Sequence, residues 1–472
     1  MIPVPGFEGR RIAVFGLGRS GLTAARALQA GGALPVLWDD SVSSRMQAEA
    51  EGFVVEDLTA ADWSGFAALV LSPGAPLTHP KPHWTVDKAR EAGIEVIGDI
   101  ELFARALAAL PEGERPKVVA VTGTNGKSTT TALIGWVLKQ AGMTVHVGGN
   151  IGIGVLALPA PTAEAVYVVE VSSYQLDLTT SFAPDFAVLT NLSPDHLDRH
   201  GGMEGYVAAK KKIFRSRKTS AYVGVDDPWG AAIFEELLDH CPFRNEVSVT
   251  RALEHVTGAY LDDGWVTYNH CDLQGRMMPQ RVIDLSKARS LPGRHNAQNA
   301  AFAFLVAYDM GIPDEEAAKH ILSFPGLAHR METVGQLGSV RFVNDSKATN
   351  ADAARQALAS YPRSFWIAGG RAKAGGIDDL EDLFPRVVEA FLIGEAAGPF
   401  AARLGDTPHR ISGDMATAVR QAYEAGAATG RDEVVLLSPA AASFDQYPDF
   451  EARGEAFRAA VLALGATPAS AS

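Results

Sequence analysis

One segment limits what this chain can fold into more than any other: Lys117-Val-Val-Ala-Val-Thr-Gly-Thr-Asn-Gly-Lys-Ser-Thr129, an apolar strand running straight into Gly123-x-x-Gly126-Lys127-Ser128 and on into a helix. A strand, a glycine turn and a helix N-terminus in that order make a phosphate site. The glycines let backbone N–H groups turn toward phosphate oxygens, and the helix contributes the positive end of its dipole. Lys127 adds a point charge, and the Ser128 hydroxyl can hold a magnesium ion. Gly123, Thr124, Asn125, Gly126, Lys127, Ser128 and Thr129 are therefore the candidate triphosphate contacts. Two residues separate the glycines where the commoner loop, GxxxxGK[ST], has four, so the sequence predicts a variant of that loop.

Around this segment the chain repeats one rhythm, a Val/Ile/Leu-rich strand followed by a Gly or Asp turn and an alanine-rich helix, which is the pattern of parallel α/β sheets. It occurs in three runs, predicting three α/β domains within 472 residues. Residues 1–98 read as a Rossmann-like domain, 99–325 as a central ATP-binding domain with a mostly parallel sheet, and 326–472 as a second Rossmann-like domain. Only the tail from Gly465 reads as a disordered end. Cys241 and Cys271 are set at neither disulfide-framework nor metal-ligand spacing, which points to a reducing compartment. There is no basic-then-apolar leader and no apolar run near the roughly 18 residues a membrane span needs, so a soluble, cytoplasmic monomer is expected. A net charge of -13 argues against a nucleic-acid binder, and the basic run Lys210–Lys218 is expected to cover a solvated helix face.

Open parallel sheets hold ligands beyond the carboxyl ends of their strands, so polar residues there are the ones to question. Ser128 opens the helix after one strand, Glu170 ends Val166-Tyr-Val-Val-Glu170, and Asp195-His-Leu-Asp198 follows Phe186-Ala-Val-Leu-Thr190. A carboxylate with apolar neighbours, as Glu170 has, needs a cation or an ion-pair partner to offset its desolvation. A hydroxyl, a carboxylate and the His196 imidazole can thus converge beside bound phosphates. In the first domain, Gly16-Leu-Gly18-Arg19-Ser20-Gly21 follows a strand and precedes a helix, with Asp39 eighteen residues beyond Gly21. Taken alone, that pattern reads as a dinucleotide site and hence a dehydrogenase.

Gly123-Thr-Asn-Gly-Lys-Ser128, Gly148-Gly-Asn-Ile-Gly152, Glu170-Val-Ser-Ser-Tyr-Gln175, Asn191-Leu-Ser-Pro-Asp-His-Leu-Asp198, His295-Asn-Ala-Gln-Asn299, His329-Arg330 and Asn344-Asp-Ser-Lys-Ala-Thr-Asn350 stand in an order that resembles the Mur ligases of peptidoglycan synthesis. Ser72-Pro-Gly-Ala75, the Gly16–Gly21 loop and Leu437-Ser-Pro-Ala-Ala-Ala-Ser-Phe-Asp-Gln-Tyr447 with Phe450 resemble the branch of that family that adds D-glutamate. The resemblance implies an ATP-dependent ligase joining D-glutamate to UDP-N-acetylmuramoyl-L-alanine through an acyl phosphate. It further implies two magnesium ions held by Ser128, Glu170, His196 and Lys210, the last carrying a CO2-derived carbamate. Lys127, Glu170, His196 and Lys210 are then the catalytic set. The segment after Arg199 reads His-Gly-Gly-Met-Glu-Gly where relatives commonly have a Tyr-Pro-Phe-type stretch, so the register of Lys210 rests on Tyr206-Val-Ala-Ala-Lys210.

The same resemblance assigns Gly18, Arg19, Ser20, Asp39, Ser72, Pro73, Gly74, Asn150, Ser172 and Gln175 to the UDP-sugar. Asn296 and Asn299 go to the adenine region, and Arg330 and Asp345 reach the nucleotide from the third domain, so that closure assembles the site. Lys347, Thr349, Lys373, Ser443 and the Phe444 backbone N–H are expected to hold the D-glutamate carboxylates, with Phe450 walling the pocket. Another amide-forming Mur or folylpolyglutamate-type ligase, an NAD-dependent dehydrogenase and a nucleotide-binding regulator without turnover are the alternatives.

Overall fold

A computed structural model describes residues 1–469 apart from 240, 273, 289 and 374. Three sheets account for the strands. In the first, β1 (Arg11–Phe15), β2 (Leu34–Trp38), β3 (Val54–Val55), β4 (Phe66–Leu71) and β5 (Glu95–Ile97) lie in the order β3-β2-β1-β4-β5, all parallel. The second holds β6 (Lys117–Thr122), β7 (Thr144–Gly149), β8 (Ala165–Glu170), β9 (Phe186–Leu189), β10 (Ser220–Gly224) and β11 (Arg244–Ser248). It continues into β12 (Gly258–Asp262), β13 (Trp265–Cys271) and β14 (Met277–Asp284), in the order β14-β13-β12-β11-β10-β9-β6-β8-β7. Its last three strands form an antiparallel meander at one edge, an extension the strand-helix rhythm did not announce.

The third sheet contains β15 (Glu332–Leu337), β16 (Val340–Asn344), β17 (Ser364–Gly369), β18 (Val387–Ile393), β19 (His409–Gly413), β20 (Glu433–Leu437) and β21 (Thr467–Pro468). Their order is β19-β18-β17-β20-β16-β15-β21. β21 pairs antiparallel with β15, so the tail is not disordered from Gly465 as expected: Gln336 and Gly335 on the sheet edge give Thr467 and Pro468 a partner. Residues 470–472 lie outside the described part.

The chain packs as two compact units, Met1–Ser286 with Ala297–Leu322, and Lys287–Asn296 with Ser323–Ser472. The first two sheets share one unit because one apolar core runs through both. Ile2, Val4, Leu22 and Leu28 belong to the same buried cluster as Leu156, Leu158, Tyr167 and Leu189. Glu101 adds a polar seam, since its buried carboxylate accepts from Thr180 N (2.8 Å), Ser181 N (2.9 Å), both hydroxyls and Arg105. Burial alone would raise its pKa; the Ser181 and Thr180 hydrogen bonds outweigh that and hold it at about 2. Among the described residues, no helix is long and apolar enough to cross a membrane.

Candidate active site

β6 and the helix Lys127–Gln140 deliver the phosphate loop between them, and two glycines are obligatory there. Gly123 has φ 139° and Gly126 φ 81°; a Cβ at the first would collide with Thr190 Oγ1, and at the second would come within 2.7 Å of Asn299 Oδ1. The loop is braced from β9: Thr124 N donates to Asn191 O (2.8 Å), Asn125 N to Asn191 Oδ1 (2.9 Å), and Thr190 Oγ1 to Asn125 O (2.6 Å). No side chain caps the helix at Gly126. Lys127 folds back over the loop, its Nζ donating to Gly123 O (3.0 Å) and Thr124 O (2.7 Å). The amine therefore occupies the cup formed by the loop carbonyls.

Glu170, 2% exposed at the end of β8, accepts from Ser128 Oγ and from Asn150 Nδ2 (2.7 Å). The parallel register of β6 on β8 pairs Val121 with Glu170, which brings the carboxylate level with the start of the loop. His196, with φ 55°, lies 3.3 Å from the Asp195 carboxylate, and its ring stands against Tyr174. Lys210 is 1% exposed and donates to Gly123 O (2.7 Å) and Thr122 Oγ1 (3.4 Å). Burial and then the nearby Lys127 charge push its pKa well below the ordinary lysine range, against a pull from Asp195 and Glu170. The basic run is thus not a solvated face throughout. Lys210 packs inward, Lys212 pairs with Asp177 (2.8 Å), and Lys211, partly exposed, pairs with Glu236. Helical spacing turned 210 to the core.

A cavity of about 290 Å³ is lined by Lys127, Asp195, His196 and Lys210 together with Pro73, Gly74, Asn150, Ser172, Ser173, Tyr174 and Tyr206. Arg199 latches the Pro73–Gly74 turn by donating to Gly74 O (3.0 Å). At the Gly-x-Gly loop, Gly16 has φ 88° and a Cβ would strike Ser72; Gly18 caps the helix Arg19–Ala30 without a side-chain bond. The side chain of Arg19 lies outside what is described. Asp39 ties the loop after β2 to the glycine loop, accepting from Leu17 N (2.6 Å) and Ser41 N (2.8 Å). Gln175 closes a capping box with Ser172 and donates to the buried Asp99 carboxylate at 3.0 Å, and Ser20 bonds the same carboxylate. Asn299 accepts from Thr130 Oγ1 at 2.9 Å beside the phosphate loop.

The second unit gathers its own set. Lys347 Nζ lies 3.9 Å from the centroid of the Phe450 ring, and Thr349 N donates to Lys347 O (2.8 Å). Ser443 is buried, Phe444 is 65% exposed, and Lys373 is exposed beyond β17. Asn296 donates to Pro292 O (2.7 Å). Arg330 stands between His329 (φ 61°) and Met331 (φ 48°), close enough for its charge to act on Asp345. Asp345 accepts from Ser438 Oγ (2.9 Å) and Met331 N (3.3 Å).

Sequence reasoning missed the residue that ties this set together. Arg453, 1% exposed in the helix Phe450–Ala463, donates to Ser346 O (2.8 Å), Ser346 Oγ (3.0 Å), Ala441 O (2.9 Å) and Gly369 O (3.4 Å). One guanidinium therefore holds the turns after β16, β17 and β20, which carry Lys347, Lys373 and Ser443. Its helical position inside Phe-Glu-Ala-Arg-Gly reads as a surface arginine. Ser173 and His200 were also missed, although the departure after Arg199 marked their neighbourhood.

Residues 121–307 match the description of the Mur ligase middle domain, and residues 329–441 that of the Mur ligase glutamate ligase domain. The UDP-N-acetylmuramoylalanine--D-glutamate ligase of Caulobacter sp. (strain K31) is 61% identical over 468 residues, covering 98% of each chain. The enzyme of the same name from Phenylobacterium zucineum (strain HLK1) is 60% identical over 467 residues, also 98% of each. In fold, the chain is similar to the UDP-N-acetylmuramate-alanine ligase of Thermotoga maritima, with a TM-score of 0.58, 15% identity, and coverage of 96% of this chain and 99% of that one. It is also similar to a pseudomurein peptide ligase type C of Methanothermus fervidus, with a TM-score of 0.54, 16% identity, and coverage of 97% and 100%. The chain belongs to the Mur ligase family.

Proposed function

We propose that this chain is the ATP-dependent ligase that joins the amine of D-glutamate to the carboxylate of UDP-N-acetylmuramoyl-L-alanine. It acts in the cytoplasm as a monomer with domains at 1–98, 99–325 and 326–472. The observation that carries the reading is the single cavity whose wall includes Lys127 and Lys210 on one hand and Asn150, Pro73 and Gly74 on the other. A phosphate-binding lysine and the strand-end turn of the Gly-x-Gly sheet then face one space, as they must if the γ-phosphoryl group of ATP is to meet a carboxylate tethered to a nucleotide sugar.

The carboxylate oxygen attacks the γ-phosphorus and releases ADP; the amine then attacks the acyl carbon and phosphate leaves. Lys127 would neutralise the transferring phosphoryl oxygens. The Asn150 amide, held by Glu170, and the Ser72–Gly74 turn would orient the donor. Gly18, Arg19, Ser20, Asp39, Ser172 and Gln175 would shape the nucleotide-sugar groove around it. Asn296, Asn299, Arg330 and Asp345 would serve the nucleotide, and Lys347, Thr349, Lys373, Ser443, Phe444 and Phe450 the D-glutamate.

Among the described residues, no three His, Cys, Asp or Glu cluster as a metal site. The Ser128 hydroxyl on the Glu170 carboxylate is an oxygen donor pair that suits magnesium, which takes one or two carboxylates and completes its shell with phosphate oxygens and water. Ser128 and Glu170 would hold one ion, and His196 with a carbamate on Lys210 the second. Bound magnesium would screen the two anionic reactants from each other. Carbamate formation needs a neutral amine, and the burial of Lys210 beside Lys127 favours that form.

The test is phosphate release from ATP with UDP-N-acetylmuramoyl-L-alanine, scanned over D-glutamate, L-glutamate, D-alanine and diaminopimelate. Release dependent on D-glutamate is expected. Preference for another amine, or NADH turnover in a parallel assay, would overturn the reading.

A further inference from the structure

After Arg199 the structure builds a hydrogen-bonded chain that the roles above leave unused. His200 ends the short helix Leu197–His200, and its side chain is 1% exposed. Its Nδ1 lies 3.1 Å from Asp177 Oδ2 and its Nε2 lies 2.9 Å from Ser173 Oγ. Tyr174 stacks on the imidazole at 5.5 Å and Tyr206 packs at 5.5 Å, so the ring cannot turn without displacing both. Lys212 Nζ holds the other Asp177 oxygen at 2.8 Å. Burial acts to raise the pKa of Asp177, but the His200 and Lys212 hydrogen bonds prevail and lower it, so the carboxylate stays ionised.

An ionised carboxylate only accepts, so Nδ1 carries a proton, and in the neutral tautomer with that proton Nε2 is an acceptor. In that tautomer Ser173 donates its hydroxyl hydrogen to Nε2. What remains on Oγ is lone pairs, and Ser173 stands on the wall of the cavity between Ser172 and Tyr174. We propose that His200 and Asp177 fix Ser173 as a hydrogen-bond acceptor for the amide N–H of the donor substrate, the group one carbon from the reacting carboxylate. This rests on the function proposed above. Ser173 is a specificity residue for an N-acyl amino acid, and His200 is the positioning residue that sets the direction of its hydroxyl. The same contact would hold the carboxylate in line with the phosphoryl group, so its loss should lower kcat as well as raise KM.

The experiment compares UDP-N-acetylmuramoyl-L-alanine with the analogue in which L-lactate replaces L-alanine, so that an ester oxygen stands where the amide N–H was. Both are assayed by phosphate release with D-glutamate at pH 8, on wild type, Ser173→Ala and His200→Phe, each checked for ATP binding and melting temperature. Wild type should favour the amide by about 10-fold or more in kcat/KM, the usual effect of leaving one buried partner unpaired. Ser173→Ala should bring the ratio to within about 3-fold, and His200→Phe should lie between. A purely structural role would lower activity on both substrates and leave the ratio unchanged. Equal amide-to-ester ratios in wild type and Ser173→Ala would overturn the inference alone. Absence of wild-type turnover would overturn the function reading and this inference with it. A third outcome also overturns it: covalent labelling of Ser173 by a fluorophosphonate would make the same three residues a nucleophilic triad.

Discussion

Asp345→Asn is expected to stabilise the C-terminal unit at alkaline pH while weakening the enzyme. The carboxyl is buried, and burial lifts its pKa from 3.8 to about 7, only partly opposed by the Ser438 and Met331 hydrogen bonds and by Arg330 and Arg453. In the unfolded chain the same group titrates near 3.8. Between those values the folded state holds a proton that the unfolded state has lost, so stability falls as pH rises through the window. The full effect is about 4 kcal/mol, of which about 2 to 3 kcal/mol falls between pH 5 and pH 8. Asparagine does not titrate. Its oxygen can still accept from Met331 N, and the Ser438 hydroxyl can rotate to accept from its amide. Calorimetric melts of wild type and variant should therefore diverge between pH 5 and pH 8, by about 5 to 10 °C for a unit of this size. Activity should drop, because the proposed nucleotide contact loses its charge. If the difference in melting temperature is the same at both pH values, Asp345 does not titrate in this window and the reasoning fails.

Other outcomes follow from the same geometry. Lys127→Ala and Glu170→Ala should both abolish ligation, but excess magnesium should partly restore only Glu170→Ala; equal responses would count against the assignment of Glu170 as a metal ligand. Lys210→Ala should be nearly inactive yet folded, and acetate should recover part of its activity by placing a carboxylate in the vacated space, whereas Lys211→Ala should need no such help; failure of rescue, together with density showing an unmodified Lys210 amine beside bound magnesium, would refute the carbamate. Arg453→Met strands the Ser346 and Ala441 carbonyls, so it should cost roughly 2 to 5 kcal/mol of stability in denaturant melts. It should also raise KM for D-glutamate far more than KM for the UDP-sugar; equal changes would mean that the three turns hold their shape without it.

The strand–glycine–helix run at 117–128, the Gly16–Gly21 turn and the polar ends of β8 and β9 were legible in the sequence, because each is a local pattern. Backbone dihedrals and side-chain periodicity depend on near neighbours, and glycine at a positive φ declares itself wherever a turn must tighten. What those residues meet was not legible. Gly126 is needed because Asn299 arrives from another helix, and that depends on how the helix packs on the sheet. Lys210 reads as part of a solvated basic run, yet its burial beside Lys127 is set by which helix face turns to the core. Arg453 joins three turns, the farthest of them 107 residues away along the chain, and Ser173, Asp177 and His200 meet across 27. The antiparallel meander and the pairing of Thr467 with Gln336 likewise depend on an available sheet edge. The sequence by itself determined the strand–helix rhythm, the phosphate loop and the types of reacting group. Only the tertiary structure decided which charges are buried, which hydroxyl meets which base, and which turns share one guanidinium, since desolvation and hydrogen-bond partners belong to the packed neighbourhood rather than to any stretch of chain.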